Sequence, residues 1–200
     1  VVQPMSRPVI RRLLVIRQGD AAQRERTAAY ARIGDRLVIE GTAFASPTRV
    51  FLGEVDATAS IEAGGAESRL VVAIPDDAGL QPGAVTVRVQ ADVMLGEPPT
   101  AHRGFSSNLS VFVLTPRAGA AAFSAGPPRR VTISGSRLFQ EGRPCFTLIG
   151  GTLVKAADYA SRTGTQIEID LPAALPAGSY PVRVRVNGAE SIDALSVAVT

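Results

Sequence analysis

Apolar residues alternate with polar ones along several short segments of the chain. The clearest lie at 85–89 and 182–186, where valine occupies every second position. A period of two places one face of an extended strand against a core and the other face toward solvent. Turn-forming pairs, among them Pro82-Gly83 and Asn187-Gly188, bound these segments. The pattern predicts an all-β protein built from short antiparallel strands, and Asn187-Gly188 in particular predicts a tight hairpin turn.

Three blocks of sequence occur twice, in the same order. Residues 36–44 return as 130–139, residues 69–75 with 80–89 return as 166–172 with 175–184, and residues 109–114 return as 194–199. Gly135 follows Gly41 by 94 positions. Repetition at one period indicates copies of a single structural unit. We therefore predict two tandem β-sandwich domains of about 100 residues each, at 1–115 and 116–200.

Two segments of the first predicted domain have no counterpart of equal length in the second. Residues 18–30 are polar and alanine-rich, which indicates a loop insertion or a short helical turn, and residues 95–108 are inserted before the last strand. Loops carried on a rigid scaffold are common places for binding residues. Between the domains, residues 116–128 form a linker, and part of it should begin the second sandwich with Ala122 and Phe123 packing inwards.

The composition limits the classes of function that the chain can have. Apolar residues make up 46% of it, but it has 7 Phe, 3 Tyr and no Trp, so the core must be largely aliphatic. Cys145 is the single cysteine and predicts a buried, inert thiol without a disulfide. No apolar stretch is long enough to cross a membrane, and the first ten residues lack signal-peptide features. The initial Val, in place of Met, leads us to expect a chain trimmed from a longer one, from which a partner domain upstream could be missing.

The residues needed for catalysis or metal binding are scarce. His102 is the only histidine, so no triad or zinc site can be assembled, and we predict no enzyme activity, no catalytic residues, no cofactor and no metal. Nearly all of the 21 basic residues are arginine, but short pairs such as Arg11-Arg12 and Arg129-Arg130 are separated by acidic or apolar residues. We therefore expect no nucleic acid and no membrane among its partners.

The repeated blocks resemble the IPT/TIG family of immunoglobulin-like domains. In the first unit the resemblance lies in Gly34-Asp-Arg-Leu-Val-Ile-Glu-Gly-Thr-Ala-Phe44, Thr48–Gly53 and Ile74-Pro75; in the second it lies in Ile133-Ser-Gly135 and Phe139. The resemblance implies two immunoglobulin-like sandwiches. Within them we expect the glycine after the strand to permit a turn, and Phe44 or Phe139 to cover the end of the sandwich.

A narrower resemblance involves Pro8-Val9 near the start, His102–Asn108 and the following Phe112–Pro116. These segments are similar to the C-terminal part of cap-type proteins of bacterial phage-tail-like contractile injection systems. The resemblance implies a non-catalytic structural module whose partners are tube, sheath or cap subunits, in a cytoplasmic assembly that could be released in an extracellular particle. An oligomer would form through the missing N-terminal domain. His102, Arg103 and Phe105 are the predicted protein-contact residues, with a core-capping role for Phe105 and a solvated role for His102 as the alternatives.

A second interpretation is an Ig-like accessory or carbohydrate-binding module of a surface or polysaccharide-degrading protein. Sugar platforms usually present aromatic rings, because an amphipathic ring packs well on the apolar face of a sugar. The chain offers only Tyr30, Tyr159 and Tyr180 besides its phenylalanines. This scarcity weakens the second interpretation but leaves it open.

Overall fold

The computed structural model describes residues 6–44 and 48–200, so the first residues of the first predicted domain, 1–5, lie outside the described part. The chain divides into two compact units. One comprises the described residues up to Leu80 together with Ala84–Leu114, and the other comprises Gln81–Gly83 with Thr115–Thr200. Each unit is built almost entirely from β-strands and has its own hydrophobic core.

The described residues of the first unit form eleven strands: β1 Val9–Ile16, β2 Glu25–Thr27, β3 Tyr30–Ala31, β4 Arg36–Thr42, β5 Thr48–Leu52, β6 Val55–Asp56, β7 Arg69–Ala73, β8 Gly83–Ala91, β9 Val93–Leu95, β10 Thr100–His102 and β11 Ser110–Leu114. One sheet has the order β2-β1-β4-β7, the other has the order β3-β11-β8-β5-β6, and β9 with β10 forms a separate hairpin. A short 3-10 helix, Thr58–Ser60, precedes β7.

The core of this first sandwich lies between its two sheets. Alternate residues of β4, such as Leu37 and Ile39, meet alternate residues of β8, such as Val87 and Val89, with Phe112 of β11 among them. All five side chains are at most 1% exposed. Burial of branched aliphatic side chains is the main favourable contribution to the stability of such a domain.

The second unit contains nine strands: β12 Arg117–Ser124, β13 Arg130–Ser136, β14 Cys145–Ile149, β15 Thr152–Lys155, β16 Ser161–Arg162, β17 Gln166–Asp170, β18 Gly178–Val186, β19 Ala189–Glu190 and β20 Leu195–Val199. One sheet has the order β12-β13-β17-β16; the other has the order β15-β14-β18-β19, with β20 also pairing with β18. A 3-10 helix spans Ala156–Asp158. Cys145 is buried and free, as the sequence predicts.

The two units confirm the all-β fold and the immunoglobulin-like sandwich. In the first unit, β1, β4 and β7 form one layer and β5, β8 and β11 the other, which is the division of strands in an immunoglobulin sandwich. The Asn187-Gly188 turn is also confirmed: both residues have positive φ, 48° and 83°, between paired strands β18 and β19.

Both sandwiches carry a β-bulge in their first strand. The register of β1 against β4 shifts by one residue between Ile10 and Arg12, and that of β12 against β13 shifts between Ala118 and Ala120. A bulge adds one unpaired residue to a strand and bends it. The internal repeat therefore extends to a local irregularity of the backbone as well as to the strand order.

The repeated glycine is required by this bulge. A Cβ on Gly41 would lie 1.9 Å from the carbonyl oxygen of Val9, and a Cβ on Gly135 would lie 1.9 Å from that of Arg117. The expected role in a turn is wrong, because both glycines lie inside paired strands, β4 and β13. Because these two glycines have no Cβ, the carbonyl oxygens of Val9 and Arg117 in the bulged strands can approach them closely.

The expectation that Phe44 and Phe139 play the same part in the two sandwiches also needs correction. Phe44 is buried three residues after Gly41, and its N–H donates to Glu67 O at 2.8 Å. In the second sandwich the residue three positions after Gly135 is Leu138, which is wholly buried, with its N–H donating to Gly164 O at 2.8 Å. Leu138 is therefore the counterpart of Phe44, and Phe139 packs only partly against the core.

Two further expectations are correct only in part: 18–30 is an insertion, as one of its two alternatives held, and Phe123 faces the core. The segment 18–30 forms no helical turn: it supplies β2, which pairs with β1, and the first residue of β3, which pairs in parallel with β11. In β12, Ala121 and Phe123 pack against the core while Ala122 is exposed. Adjacent residues of a strand point to opposite faces, so Ala122 and Phe123 could not both face inwards.

Tyr159 gives the second sandwich a pH dependence in the alkaline range. Its buried hydroxyl lies 2.8 Å from Thr147 Oγ1, and burial raises the pKa of Tyr159 to about 12. The unfolded chain loses this proton near pH 10, so the contribution is complete below about pH 10 and falls as the pH rises toward 12. We expect the free energy of unfolding, measured with urea, to fall by about 2 kcal/mol between pH 9.5 and 12. Tyr159→Phe should remove this decline, and Tyr30→Phe, the control, should leave it unchanged. An unaltered decline in Tyr159→Phe would contradict this.

Candidate interaction site

The insertion 95–108 of the first sandwich forms a projecting hairpin. Strands β9 and β10 pair in antiparallel register, with Leu95 opposite Thr100 and Val93 opposite His102. The Thr100 hydroxyl donates to Leu95 O at 3.0 Å, which ties the two ends of the connection together. The predicted contact residues follow directly on the second arm of this hairpin, so the structure places all three in one short segment.

The three predicted residues have exposed side chains that do not bond to one another. His102 Nε2 lies 3.1 Å from Thr100 Oγ1, in a local contact within β10. Arg103 is exposed and forms no ion pair with any of the described residues. Phe105 is 47% exposed, so its ring does not cap the core. The segment offers an imidazole, a guanidinium and an aromatic ring to solvent.

The base of the hairpin is fixed by a buried carboxylate. Asp92 accepts hydrogen bonds from Gln90 Nε2 at 2.9 Å and from Arg49 Nε at 2.8 Å, and also from the backbone N–H of Gly104. The Gln90 amide, followed by the Arg49 guanidinium, holds the pKa of Asp92 below its ordinary value. Both ends of the hairpin are thereby joined to β5 and β8.

The segment that follows the hairpin is hydrogen-bonded to β8, and these bonds constrain the hairpin a second time. Ala91 N–H donates to Phe105 O at 3.1 Å, and Ser107 N–H donates to Val89 O at 2.8 Å. A Cβ on Gly104 would lie 2.0 Å from the Ala91 carbonyl oxygen, so only glycine fits between the hairpin and β8. Asp92, Gln90, Arg49 and Gly104 were not among the predicted site residues.

A second exposed surface lies on the outward face of the sheet β3-β11-β8-β5-β6. Tyr30 of β3 pairs with Val113 of β11 and is 52% exposed, and Val111, two residues earlier on the same face of β11, is 53% exposed. Farther along this sheet, the Arg88 guanidinium lies 4.3 Å from the centre of the Phe51 ring. This surface combines one free aromatic ring with exposed aliphatic side chains.

Within the described residues, His102 and the acidic side chains are not brought together as a catalytic pair or a metal site. His102 contacts a threonine hydroxyl but no carboxylate that would orient it as a base. No group of three His, Cys, Asp or Glu side chains in 6–44 and 48–200 is placed to hold a metal ion. In the same part of the chain, no helix has the length and apolar character that crossing a bilayer requires.

No family model and no curated protein matches the chain. The solved structures that match include the surface glycan-binding protein PbSGBP-B from Prevotella bryantii, with 15% identity and a TM-score of 0.44 over 93% of this chain and 41% of that one. They also include SGBP-B of the Bacteroides ovatus mixed-linkage glucan utilization locus, bound to a heptasaccharide, with 18% identity and a TM-score of 0.31 over 86% of this chain and 43% of that one. The chain thus spans about two-fifths of the length of each of these proteins.

Proposed function

We propose that this chain is a non-catalytic interaction module, and that the β9–β10 hairpin of its first sandwich contacts a protein partner. The anchoring of this hairpin through Asp92 is the observation that carries the proposal. Exposed residues on a loop cost conformational entropy when they bind, and a loop fixed in advance loses less. Asp92 joins the hairpin to two core strands, so Arg103 and Phe105 are presented from a fixed base.

The chemistry of the segment suits a protein surface. Arginine and aromatic side chains are enriched at the centres of protein interfaces, where a ring supplies apolar area and a guanidinium supplies directed hydrogen bonds. Arg103 has no ion-pair partner among the described residues, and Phe105 is about half exposed. A partner with an acidic group beside an apolar pocket would satisfy both.

The finer interpretation, a module of the cap protein of a contractile injection system, rests on the sequence resemblance of 8–9, 102–108 and 112–116 alone. It implies that the partner is a tube, sheath or cap subunit. No comparison supports a contractile-system cap, so this interpretation depends on the binding experiment that follows.

Arg103→Glu combined with Phe105→Ala should weaken binding to the partner by at least about tenfold, because it removes both exposed contact groups. The probes are purified tube, sheath and cap subunits encoded near the gene for this chain, measured by pull-down and surface plasmon resonance. Arg143→Glu is the matched control: it makes the same charge change at an exposed arginine of the second sandwich. Binding by the double variant equal to that of the control would overturn the hairpin proposal, and no binding by the unaltered chain would overturn the cap interpretation.

A glycan-binding accessory module is the second candidate function. The observation that favours it is the exposed ring of Tyr30, which pairs with Val113 on a sheet face that also exposes Val111, because the apolar face of a sugar packs on aromatic and aliphatic side chains. Saturable binding to a glycan array, without binding to the three protein probes, would favour this candidate over the first.

A further inference from the structure

An open groove of about 460 Å³ lies on the sheet β2-β1-β4-β7 of the first sandwich. It is lined by Arg11, Arg12, Glu40, Gly41, Ser68 and Arg69, which come from β1, β4, β7 and the residue before β7. Three of these six residues are arginines, and the remaining polar ones, Glu40 and Ser68, carry oxygen acceptors. In a small-ligand site, convergent polar groups fix the orientation of the ligand, and in this groove the polar groups dominate the lining.

The bulge in β1 creates the groove. Arg11 is the extra residue between Ile10, which pairs with Gly41, and Arg12, which pairs with Glu40. In a regular strand consecutive side chains point to opposite faces, but a bulge re-aims one of them. Arg11 and Arg12 are both exposed and both line the groove. Two adjacent residues thus contribute guanidinium groups to one site.

The charges in the groove are only partly compensated. Glu40 accepts from Arg12 and, at 2.8 Å, from Arg69 Nη1, and Arg69 also donates to Glu25. The hydrogen bond from Arg12 is the main cause that holds the pKa of Glu40 below its ordinary value. The Arg11 guanidinium forms no hydrogen bond or ion pair with any described residue. One cation therefore remains available for an anionic group of a ligand.

The groove also offers acceptors for hydroxyl donors. Each Glu40 oxygen receives one arginine hydrogen bond and keeps a second lone pair, since a carboxylate accepts about four hydrogen bonds. The Ser68 side chain is exposed and makes no hydrogen bond within the described residues. A ligand that fits this site carries a carboxylate together with nearby O–H groups.

The second sandwich repeats the backbone of this site without its charges. Through the register around its own bulge, Gly119 takes the place of Arg11, Ala120 that of Arg12, Ser134 that of Glu40 and Gln166 that of Arg69. The bulge is therefore a property of the fold, whereas the four charged side chains belong to the first sandwich alone.

We propose that this groove binds a uronic-acid residue of an acidic glycan. Arg11 binds the sugar carboxylate, and Glu40 and Ser68 accept hydrogen bonds from its hydroxyl groups. A sulfate ion or the side chain of an acidic peptide supplies the anion but has no hydroxyl donors for Glu40 and Ser68. The inference rests on the second candidate function, but it uses different residues from Tyr30 and from the hairpin.

Calorimetric titration of the full chain with an oligogalacturonate tests the proposal. The unaltered chain should bind, and Arg11→Gln should weaken binding by about tenfold, as the loss of a hydrogen bond to a charged group predicts. Ser68→Ala should weaken it by a smaller factor. Arg143→Gln, at an exposed arginine of the second sandwich, is the matched control and should bind like the unaltered chain.

Three comparison ligands separate the sources of binding: a neutral galactose oligomer, oligoglutamate and sodium sulfate. Oligogalacturonate should bind more tightly than each of them. Equal binding of sulfate or oligoglutamate would overturn the uronate proposal, as would equal binding by Arg11→Gln and the unaltered chain. Glycan binding that Tyr30→Ala abolishes and Arg11→Gln leaves intact would support the second candidate function and overturn the groove; the absence of all glycan binding would overturn both.

Discussion

Gly135→Ala should lower the free energy of unfolding of the second sandwich by about 3 kcal/mol, and Gly41→Ala should have a similar effect on the first. In each case the new Cβ would lie 1.9 Å from a carbonyl oxygen of the bulged first strand. The carbonyl belongs to a paired strand and cannot turn aside as a flexible side chain would. The strands must separate or the bulge must be lost, and either change disturbs the core beneath it.

Urea unfolding of the full chain, followed by circular dichroism, measures this loss. Gly151→Ala is the control, because a Cβ added to Gly151 would have no heavy atom within 4 Å and the φ of Gly151 is not positive. It should change the free energy of unfolding by no more than about 0.5 kcal/mol. A Gly135→Ala protein as stable as Gly151→Ala would show that the bulge adjusts freely, against the packing described above.

Asp35→Ala should destabilise the first sandwich by about 3 kcal/mol, because it removes a buried carboxylate that accepts from one arginine and two backbone N–H groups. Asp35 is wholly buried and accepts hydrogen bonds from Arg17 Nη1 at 2.8 Å and from the N–H groups of Gln18 and Arg32, each at 2.9 Å. It fixes both ends of the segment that supplies β2 and β3. We expect a clear fall in the temperature of unfolding.

Two further variants separate charge from shape. Asp35→Asn keeps the size of the side chain but loses the ion pair. Its temperature of unfolding should therefore lie between those of Asp35→Ala and the unaltered protein. Glu54→Ala removes an exposed acid from the same sandwich and should have little effect. If Asp35→Ala melted at the same temperature as Glu54→Ala, the buried carboxylate would not be a stabilising element.

The strand pattern and the repeat were sufficient to predict the fold class, because alternation along β8 and β18 reports directly which side chains face a core. The function of Gly41 was not predictable in the same way. A glycine in the sequence shows that a side chain is missing, but the atom that takes its place, Val9 O, comes from a strand 32 positions earlier. Bulges become visible only once the register of two strands is known.

The candidate sites show the same limit. The position of the hairpin was predicted from the unequal length of the two repeats, whereas its anchor was not, because Arg49 reaches Asp92 across 43 positions of sequence. Similarly, Arg11-Arg12 was judged too short a basic pair to bind a polyanion. On a regular strand the two side chains would diverge, and only the bulge directs both into one groove.

The insertion 18–30 also affects how the first sandwich behaves at high concentration. Its strand β2 covers the outer edge of β1, and β3, which it begins, covers the outer edge of β11. An uncovered edge offers unpaired N–H and C=O groups to another chain, which is a common route to aggregation. In the second sandwich β12 is itself the edge strand of its sheet. β2 and β3 are therefore the edge strands at these positions, with three and two residues, and edge strands this short offer few unpaired groups to another chain, whereas the edge strand β12 spans eight residues.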